Sequence, residues 1–218
     1  MKKTQFIDAI KNIKNRLPSF LSVTLVVAIG TGGFFTTQNI YRSLTAAFDE
    51  VSDRQNFKDL DLVSSGGITQ SDLDLVNSIP GVDATEAVIR INGELSGTTD
   101  KYNVQIISLT EKVSVPALME GTLPVKQNEV AINEDLAMEA NIKVHDKVII
   151  KNTSDLASDP LKEEEFTVSA IVRHPEYLRM AQTWAVVLPL SAFDLGATND
   201  SFTNLYVSGD EGDRKSVV

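Results

Sequence analysis

The longest run without a charged residue extends from Leu17 to Tyr41, which is 25 consecutive positions. Its most apolar part is FLSVTLVVAIGTGGFF, residues 20–35. A helix from Pro18 to Phe35 would be about 27 Å long, close to the roughly 30 Å of hydrocarbon in a bilayer. The uncharged TTQNIY that follows could complete the crossing. The sequence therefore predicts a transmembrane helix over residues 17–41.

Positive charge lies on one side of this run. Residues 1–41 carry five Lys or Arg against Asp8 alone, a net charge of +4, and since the whole chain carries −10, residues 42–218 carry −14. The positive-inside rule places the N-terminus in the cytoplasm and the acidic remainder outside the cell membrane. A domain this acidic is a poor match for nucleic acid, where Lys and Arg neutralise phosphates.

The residues before and within the run have other interpretations. In residues 1–16, apolar side chains recur at helical spacing among lysines, which predicts either a cytoplasmic amphipathic segment on membrane lipid or a basic flank that only sets topology. The run itself could be a cleaved signal peptide with its cleavage site at Ala28-Ile29-Gly30, or a buried helix of a soluble protein. The long basic region and the one-sided charge favour the span.

Small residues recur every four positions within the predicted span. This spacing forms one stripe, and small-xxx-small stripes allow a second helix to approach closely in lipid. We expect a helix-packing face that meets other transmembrane helices. Its members are Thr24, Ala28, Gly32 and Thr36.

An apolar stripe continues past the span at helical spacing. Its members are Ile40, Leu44, Phe48 and Val51. The pattern predicts a helical stalk over residues 42–57 that continues the membrane helix out of the bilayer.

The pattern of residues 58–218 predicts an extracytoplasmic core domain of class α+β with a mixed, mostly antiparallel sheet. A division of this domain into two subdomains is compatible with the same pattern. Thr69 with Asp72, and Asn133 with two acidic residues after it, are N-terminal signals for two helices. The first helix should carry Leu73, Val76 and Ile79 inward, and residues 152–164 should be an exposed loop. The predicted strands are 59–64, 84–92, 102–109, 129–132, 147–151, 165–173, 184–188 and 204–207.

No catalytic or cofactor-binding set stands out. The absence of cysteine excludes disulfides, thiol catalysis and Cys-ligated zinc. The two histidines, His145 and His174, form no metalloprotease motif, and no phosphate-binding glycine string occurs. The 174–177 stretch, HPEY, is interpreted as a strand exit and turn. We therefore expect neither an enzyme nor a metal or cofactor site.

The order of these elements resembles ABC-transporter permeases of the FtsX-like/MacB type. The leader and first span look like that family's N-terminus. The family has four spans, one before the domain and three after, so the resemblance implies that this sequence is a fragment lacking the later spans, a truncated form or the product of a degenerate gene. One departure is His145, which stands where the family's V-G-D turn has Gly. The segments that carry the resemblance are 59–82 (DLDLVSSGGITQSDLDLVNSIPGV), 128–150 (NEVAINEDLAMEANIKVHDKVII), 166–180 (FTVSAIVRHPEYLRM) and 184–193 (WAVVLPLSAF).

The resemblance implies a non-catalytic permease subunit. A cytoplasmic ABC ATPase would hydrolyse ATP, a second permease copy would complete a dimer, and the stalk would pass motion to the external domain for export or mechanotransmission. An extracytoplasmic protein or a hydrophobic substrate would be the external partner. The alternative is a single-span sensor or receptor whose outer domain binds an extracellular ligand.

Overall fold

A computed structural model describes residues 17–96, 100–155, 159–176, 184–195 and 202–209. The chain divides into two compact units, Met1–Glu50 and Val51–Val218. The predicted amphipathic segment 1–16 lies outside the described residues.

The first element is a single long helix, α1 (Leu17–Arg54). Its 38 residues correspond to about 57 Å. The part from Leu17 to Ala46 is apolar enough and long enough to cross a membrane, and each of its side chains that the structure describes is exposed. The helix runs without a break through the predicted span and the stalk as far as Arg54, three residues before the stalk's predicted end. The boundary between span and stalk at residues 41 and 42 stays a prediction.

Hydroxyl groups within α1 bond back to the helix itself. The Thr31 hydroxyl donates to the Val27 carbonyl at 2.7 Å, and the Thr36 hydroxyl donates to the Gly32 carbonyl at 2.8 Å. Ser22 bonds in the same way, to the Pro18 carbonyl at 2.9 Å. Such bonds satisfy polar side chains where no water is available.

The smaller sheet of the second unit has three strands in the order β1-β10-β2, all antiparallel. Leu73 and Val76 of helix α2 pack on Ile68, Leu205 and Val207 of this sheet. We call this sheet with α2 the small layer. Its elements are β1 (Leu60–Ile68), α2 (Gln70–Asn77), β2 (Val82–Val88) and β10 (Phe202–Gly209).

The larger sheet closes on itself as a six-stranded ring in the order β8-β6-β9-β4-β3-β7, because β7 also pairs with β8. A seventh strand, β5, extends the sheet at the edge of β8. The ring, called the barrel below, contains the parallel pairs β4–β9 and β6–β8, and its other pairings are antiparallel. The strands are β3 (Arg90–Ser96), β4 (Lys101–Ser108), β5 (Ala117–Gly121), β6 (Glu129–Asn133), β7 (Lys147–Asn152), β8 (Glu165–Arg173) and β9 (Trp184–Leu188).

The barrel core follows from period-two alternation, since every second side chain of a strand points to the same face. Each of the six strands contributes two buried apolar residues to one cluster. Helix α3 (Glu134–Glu139) adds Leu136 and Ala137 to that cluster. The inward residues are Ile91, Leu95, Val104, Ile106, Val130, Ile132, Val148, Ile150, Phe166, Val168, Val186 and Leu188.

The predicted α+β class with a mixed, mostly antiparallel sheet is confirmed. The prediction of a single strand over 84–92 is wrong, because the strand is interrupted at Ile89. The residues before it form β2 of the small layer, and the residues after it form β3 of the barrel. Ile79 lies beyond the end of α2 and is half exposed, so it is not part of the helix's inward face.

Two further predictions need correction. Strand β5 is missing from the predicted strands, because LMEG lacks apolar alternation and its pairing with β8 is a long-range contact. The loop predicted over residues 152–164 is not wholly exposed, since Leu161 is buried in the core and forms a β-bridge with Phe193.

The turn before β7 keeps a left-handed residue although no glycine is present. His145 has φ = 77°, and its N–H donates to the Val168 carbonyl at 2.7 Å. A non-glycine residue in this region costs roughly 1–2 kcal/mol, so the hydrogen bond offsets local strain. The departure from the V-G-D pattern therefore changes the residue and leaves a left-handed turn in place.

Candidate functional site

The predicted packing stripe lies on the exposed surface of α1. Thr24, Ala28, Gly32 and Thr36 are all exposed, and a Cβ on Gly32 would meet no atom within 4 Å. The small residues thus leave a thin, uncovered strip along the helix in the described part of the chain. Its role in helix packing stays a prediction.

The predicted stalk stripe begins on the same helix. Ile40 and Leu44 are 61% and 66% exposed. The backbone at Phe48 and Val51 is helical, and their side chains lie outside what the structure describes. The proposed role of these four residues as a lever, which passes motion along the stalk to the external domain, also stays a prediction.

Gln55, immediately after α1, is held inside the second unit. Its side chain is buried, and its Nε2 group donates to the Val115 carbonyl at 3.0 Å and the Arg173 carbonyl at 2.8 Å. In return, the Val115 N–H donates to the Gln55 carbonyl at 2.8 Å. One amide side chain thus joins this point of the chain to the loop after β4 and to the end of β8.

Asn56 adds a second set of bonds at the same place. Its side-chain amide donates to the Lys112 carbonyl at 2.6 Å, and its own carbonyl accepts the Ser114 N–H at 2.7 Å. Asn56 and Ser114 both have positive φ, 44° and 54°. Asn tolerates this conformation better than most residues. We call Gln55 and Asn56 with residues 112–115 the clasp.

The partner loop of the clasp is itself fixed by a carboxylate. Glu86 of β2 accepts the backbone N–H groups of Glu111, Lys112 and Val113 at 2.7–2.9 Å. Three backbone bonds to one carboxylate make a strong local restraint, because charge-assisted bonds are stronger than neutral ones.

Four charged side chains meet just after the clasp, and we call them the charge cluster. Lys58 Nζ lies 2.6 Å from Asp61 Oδ2 and 2.9 Å from Glu176 Oε2. Arg90 Nη1 lies 3.3 Å from the same Asp61 oxygen and 3.2 Å from the same Glu176 oxygen. Each cation therefore contacts both carboxylates, and the four formal charges balance.

The charge cluster is largely removed from water. Side-chain exposure is 10% for Lys58, 8% for Glu176, 25% for Asp61 and 27% for Arg90. Neighbouring amides complete it, since Asn204 Nδ2 donates to Asp61 Oδ1 at 2.8 Å and Gln105 Oε1 accepts from Arg90 Nε at 3.3 Å.

Two buried aromatic groups surround the cations. The Lys58 ammonium lies 3.8 Å from the ring centroid of Tyr206, which is a cation–π contact. Burial, and then the negative charge of Glu176, raise the pKa of the Tyr206 hydroxyl far above its usual value. Burial, and then the charges of Lys58 and Arg90, lower the pKa of His174 to about 3. Both groups are therefore neutral at pH 7.

The cluster was missed by sequence reasoning. Its members are separated by up to 118 positions, and the interpretation of HPEY as a strand exit and turn assigns no site to it. That interpretation is correct for the backbone at 174–176 and incomplete for the side chains. One local signal was available: Arg90 stands between Ile89 and Ile91 in an otherwise apolar run.

A shallow groove of about 520 Å³ lies on the barrel between β5 and α3. Met119 and Met138, half of the chain's four methionines, are exposed along it. Methionine adapts to irregular apolar partners, and the volume lies in the range of small-molecule sites. The other lining residues are Glu120, Glu134, Ala137, Asn141, Ile142, Lys143 and Ile171.

Among the residues that the structure describes, no group of three or more His, Asp or Glu side chains is arranged to hold a metal ion. The clasp and the charge cluster together form a junction of hydrogen bonds and ion pairs. This geometry can hold the segment after α1, the small layer and the barrel in fixed positions relative to one another.

No family model matches the chain, and no curated protein matches it. Among solved structures, the chain's fold is similar to that of the extracellular domain of the noncanonic ABC-type transporter YknZ from Gram-positive bacteria. That alignment has 11% identity and a TM-score of 0.46 and covers 70% of this chain and 79% of the other.

Two further structures are similar to a comparable degree. The periplasmic region of MacB from Actinobacillus actinomycetemcomitans has 12% identity, a TM-score of 0.42 and coverage of 71% and 72%. A domain of a protein from Porphyromonas gingivalis that is named as a permease has 14% identity, a TM-score of 0.46 and coverage of 69% and 70%. At such values, function has to be argued from the chain's own residues.

Proposed function

We propose that the chain is part of a non-catalytic permease subunit of an ABC transporter of the FtsX-like/MacB type. Helix α1 crosses the cell membrane with the N-terminus in the cytoplasm, and the second unit lies outside. The subunit couples ATP hydrolysis by a partner ATPase to motion of the external domain, for export or mechanotransmission.

The exposure of α1 is the observation that carries this proposal. Large apolar side chains stand out on every side of the helix, among them Leu21, Val26 and Phe35 at 57%, 70% and 65% exposure. A helix that is apolar all round is stable only when it is covered, by protein or by lipid. Within the described residues nothing covers it, and its hydroxyls already have partners inside the helix.

The clasp supports the coupling part of the proposal. An α-helix transmits displacement along its axis because its backbone bonds resist bending, and α1 has no proline after its first turn. Directly after its last residue, Arg54, the clasp fixes the chain by hydrogen bonds within the second unit. Movement of the end of α1 would therefore displace the barrel directly, because no flexible linker separates them in the described residues.

The proposed partners follow from the same elements. The stripe of Thr24, Ala28, Gly32 and Thr36 would pack on other helices in a dimer with a second permease copy. The shallow groove between β5 and α3, with the exposed Met119 and Met138, offers the apolar lining that a hydrophobic substrate or an extracytoplasmic protein would need.

The coupling is tested in the permease reconstituted in nanodiscs with its ATPase. A fluorophore on a Val125→Cys variant reports movement of the external domain, because Val125 is 78% exposed and the chain has no cysteine. We compare Ala46→Gly/Ala47→Pro, which breaks the helix, with Ala46→Leu/Ala47→Leu, which preserves it.

We expect the Gly/Pro variant to retain ATP hydrolysis and to lose the ATP-dependent fluorescence change, while the Leu/Leu variant keeps both. A fluorescence change that survives in the Gly/Pro variant would refute the lever. Failure of any ABC ATPase to assemble with the intact subunit would refute the permease assignment.

A further inference from the structure

The charge cluster joins three parts of the second unit that are distant in sequence. Lys58 belongs to the segment between α1 and β1, and Asp61 belongs to β1 in the small layer. Arg90 is the first residue of β3, and Glu176 follows β8, so both belong to the barrel. The alternating contacts of cations and carboxylates therefore cross from the small layer to the barrel and include the segment that leaves the helix.

Apolar contact between the small layer and the barrel is limited. The cluster that bridges them consists of Val88 and Tyr206 from the small layer, Ile107 and Ala185 from the barrel, and Val113 from the loop after β4. Phe202 of β10 adds one further contact, since it packs against the barrel's own cluster. The barrel's own cluster is several times larger. Non-directional burial of a few side chains permits a range of orientations, whereas ionic hydrogen bonds require particular ones.

Buried ion pairs contribute little to stability on balance. Desolvation of the charges offsets most of their attraction, so replacing the entire set by uncharged groups is often neutral or stabilising. Removing one partner is different, because it leaves an uncompensated charge in a poorly hydrated site. A balanced set of four largely buried charges is therefore better suited to specifying an arrangement than to holding the domain folded.

We propose that the charge cluster is an orientation latch, which fixes the small layer and the segment after α1 against the barrel. It specifies the arrangement and adds little net stability. Its use in passing helix movement to both layers rests on the proposed permease function, whereas the latch itself does not.

The latch is tested by distance measurements within the second unit of the full chain in detergent. Spin labels are placed on Ser71→Cys in α2 and Val125→Cys before β6, two exposed positions in a cysteine-free background. Double electron–electron resonance is recorded for the parent and for the charge-free quadruple variant Lys58→Met/Asp61→Asn/Arg90→Met/Glu176→Gln. The surface pair Lys101→Met/Glu94→Gln, whose lysine is 71% exposed, is the matched control.

We expect one narrow distance distribution for the parent and the control, and at least a twofold broader distribution for the quadruple variant. The quadruple variant's melting temperature should stay within a few degrees of the parent, while Glu176→Gln alone should lower it by roughly 10 °C. An unchanged distribution in the folded quadruple variant would overturn the latch. A melting temperature for that variant below the single variant's would also overturn it, since the cluster would then act mainly in stability.

The neutral pair variant Lys58→Met/Glu176→Gln supplies the same test if the quadruple variant does not fold. Because it retains one cation and one carboxylate, we expect it to fold with a broadened distribution, and a parent-like width would overturn the latch. None of these measurements needs ATP, a membrane or transport. The latch and the permease assignment can therefore fail separately.

Discussion

Gly93 shows how close the strands of the barrel approach one another. A Cβ at this position would overlap Ile106 Cδ1 and lie 2.9 Å from the Lys151 carbonyl oxygen. We expect Gly93→Ala to destabilise the chain by about 1–3 kcal/mol, because overpacking forces neighbouring strands apart. The matched control is Gly66→Ala in β1, where the nearest atom is 3.8 Å away and the change should stay within about 0.5 kcal/mol. Urea unfolding of the two variants measures the difference, and equal midpoints would contradict the packing described.

His174 makes the fold sensitive to acid. Its pKa is lowered to about 3, mainly by burial, while an unfolded histidine titrates near 6.5. The unfolded state therefore binds the proton first as pH falls, so this contribution to stability is complete above pH 6.5 and is lost progressively toward pH 3. Within that window the loss can reach about 1.4 kcal/mol per pH unit.

The measurement for His174 compares unfolding midpoints at pH 7.5 and pH 5. We expect His174→Asn, which keeps an acceptor where Nδ1 faces the Glu176 N–H, to lose less stability over this range than the parent. If the unfolding midpoint of His174→Asn falls between pH 7.5 and pH 5 by the same amount as the parent's, His174 does not bind a proton on unfolding in this range.

At the scale of elements, the clasp is the feature with the clearest consequence. Gln55→Ala removes both bonds of the buried amide and leaves the Val115 and Arg173 carbonyls without that donor. We expect a loss of about 1–3 kcal/mol, the usual penalty for an unsatisfied buried polar group. Hydrogen exchange should become faster at the Val115 amide, which donates to the Gln55 carbonyl.

The control for the clasp is Gln127→Ala, since the Gln127 side chain makes a long, exposed contact of 3.4 Å with Glu163. It should change stability by less than about 0.5 kcal/mol. If Gln55→Ala behaves like the control in both unfolding and hydrogen exchange, the clasp does not fix the segment after α1.

Elements with local signals were predictable from sequence. Thr69 and Asp72 form the expected capping box of α2, in which the Thr69 N–H donates to the Asp72 carboxylate at 2.8 Å and lowers the pKa of that carboxyl. Strands β8 and β9 have the predicted bounds. In these places the residues that decide the structure are neighbours in the chain.

Features decided by long-range pairing were not predictable. The apolar alternation continues across Ile89, so nothing local indicates that β2 and β3 enter different sheets. The charge cluster likewise depends on contacts between Lys58 and Glu176, which meet only once both sheets have formed. A single sequence shows that Arg90 is unusual in its strand and does not show what it contacts.

At the scale of the whole molecule, the account depends on where α1 resides. Its apolar surface is uncovered over Leu17–Ala46, and the basic residues precede it while acidic sequence follows. A lipid environment accounts for both observations. It covers the apolar surface of α1, and the positive-inside rule then places the basic residues before α1 in the cytoplasm and the acidic sequence after it outside.

The most direct measurement is cysteine accessibility in right-side-out membrane vesicles. We expect a membrane-impermeant maleimide to label Val125→Cys in intact vesicles and Lys3→Cys only after permeabilisation, with both variants retained in the membrane after alkaline washing. Labelling of Lys3→Cys in intact vesicles, or release of the chain by alkali, would contradict a membrane-spanning α1 with an external domain.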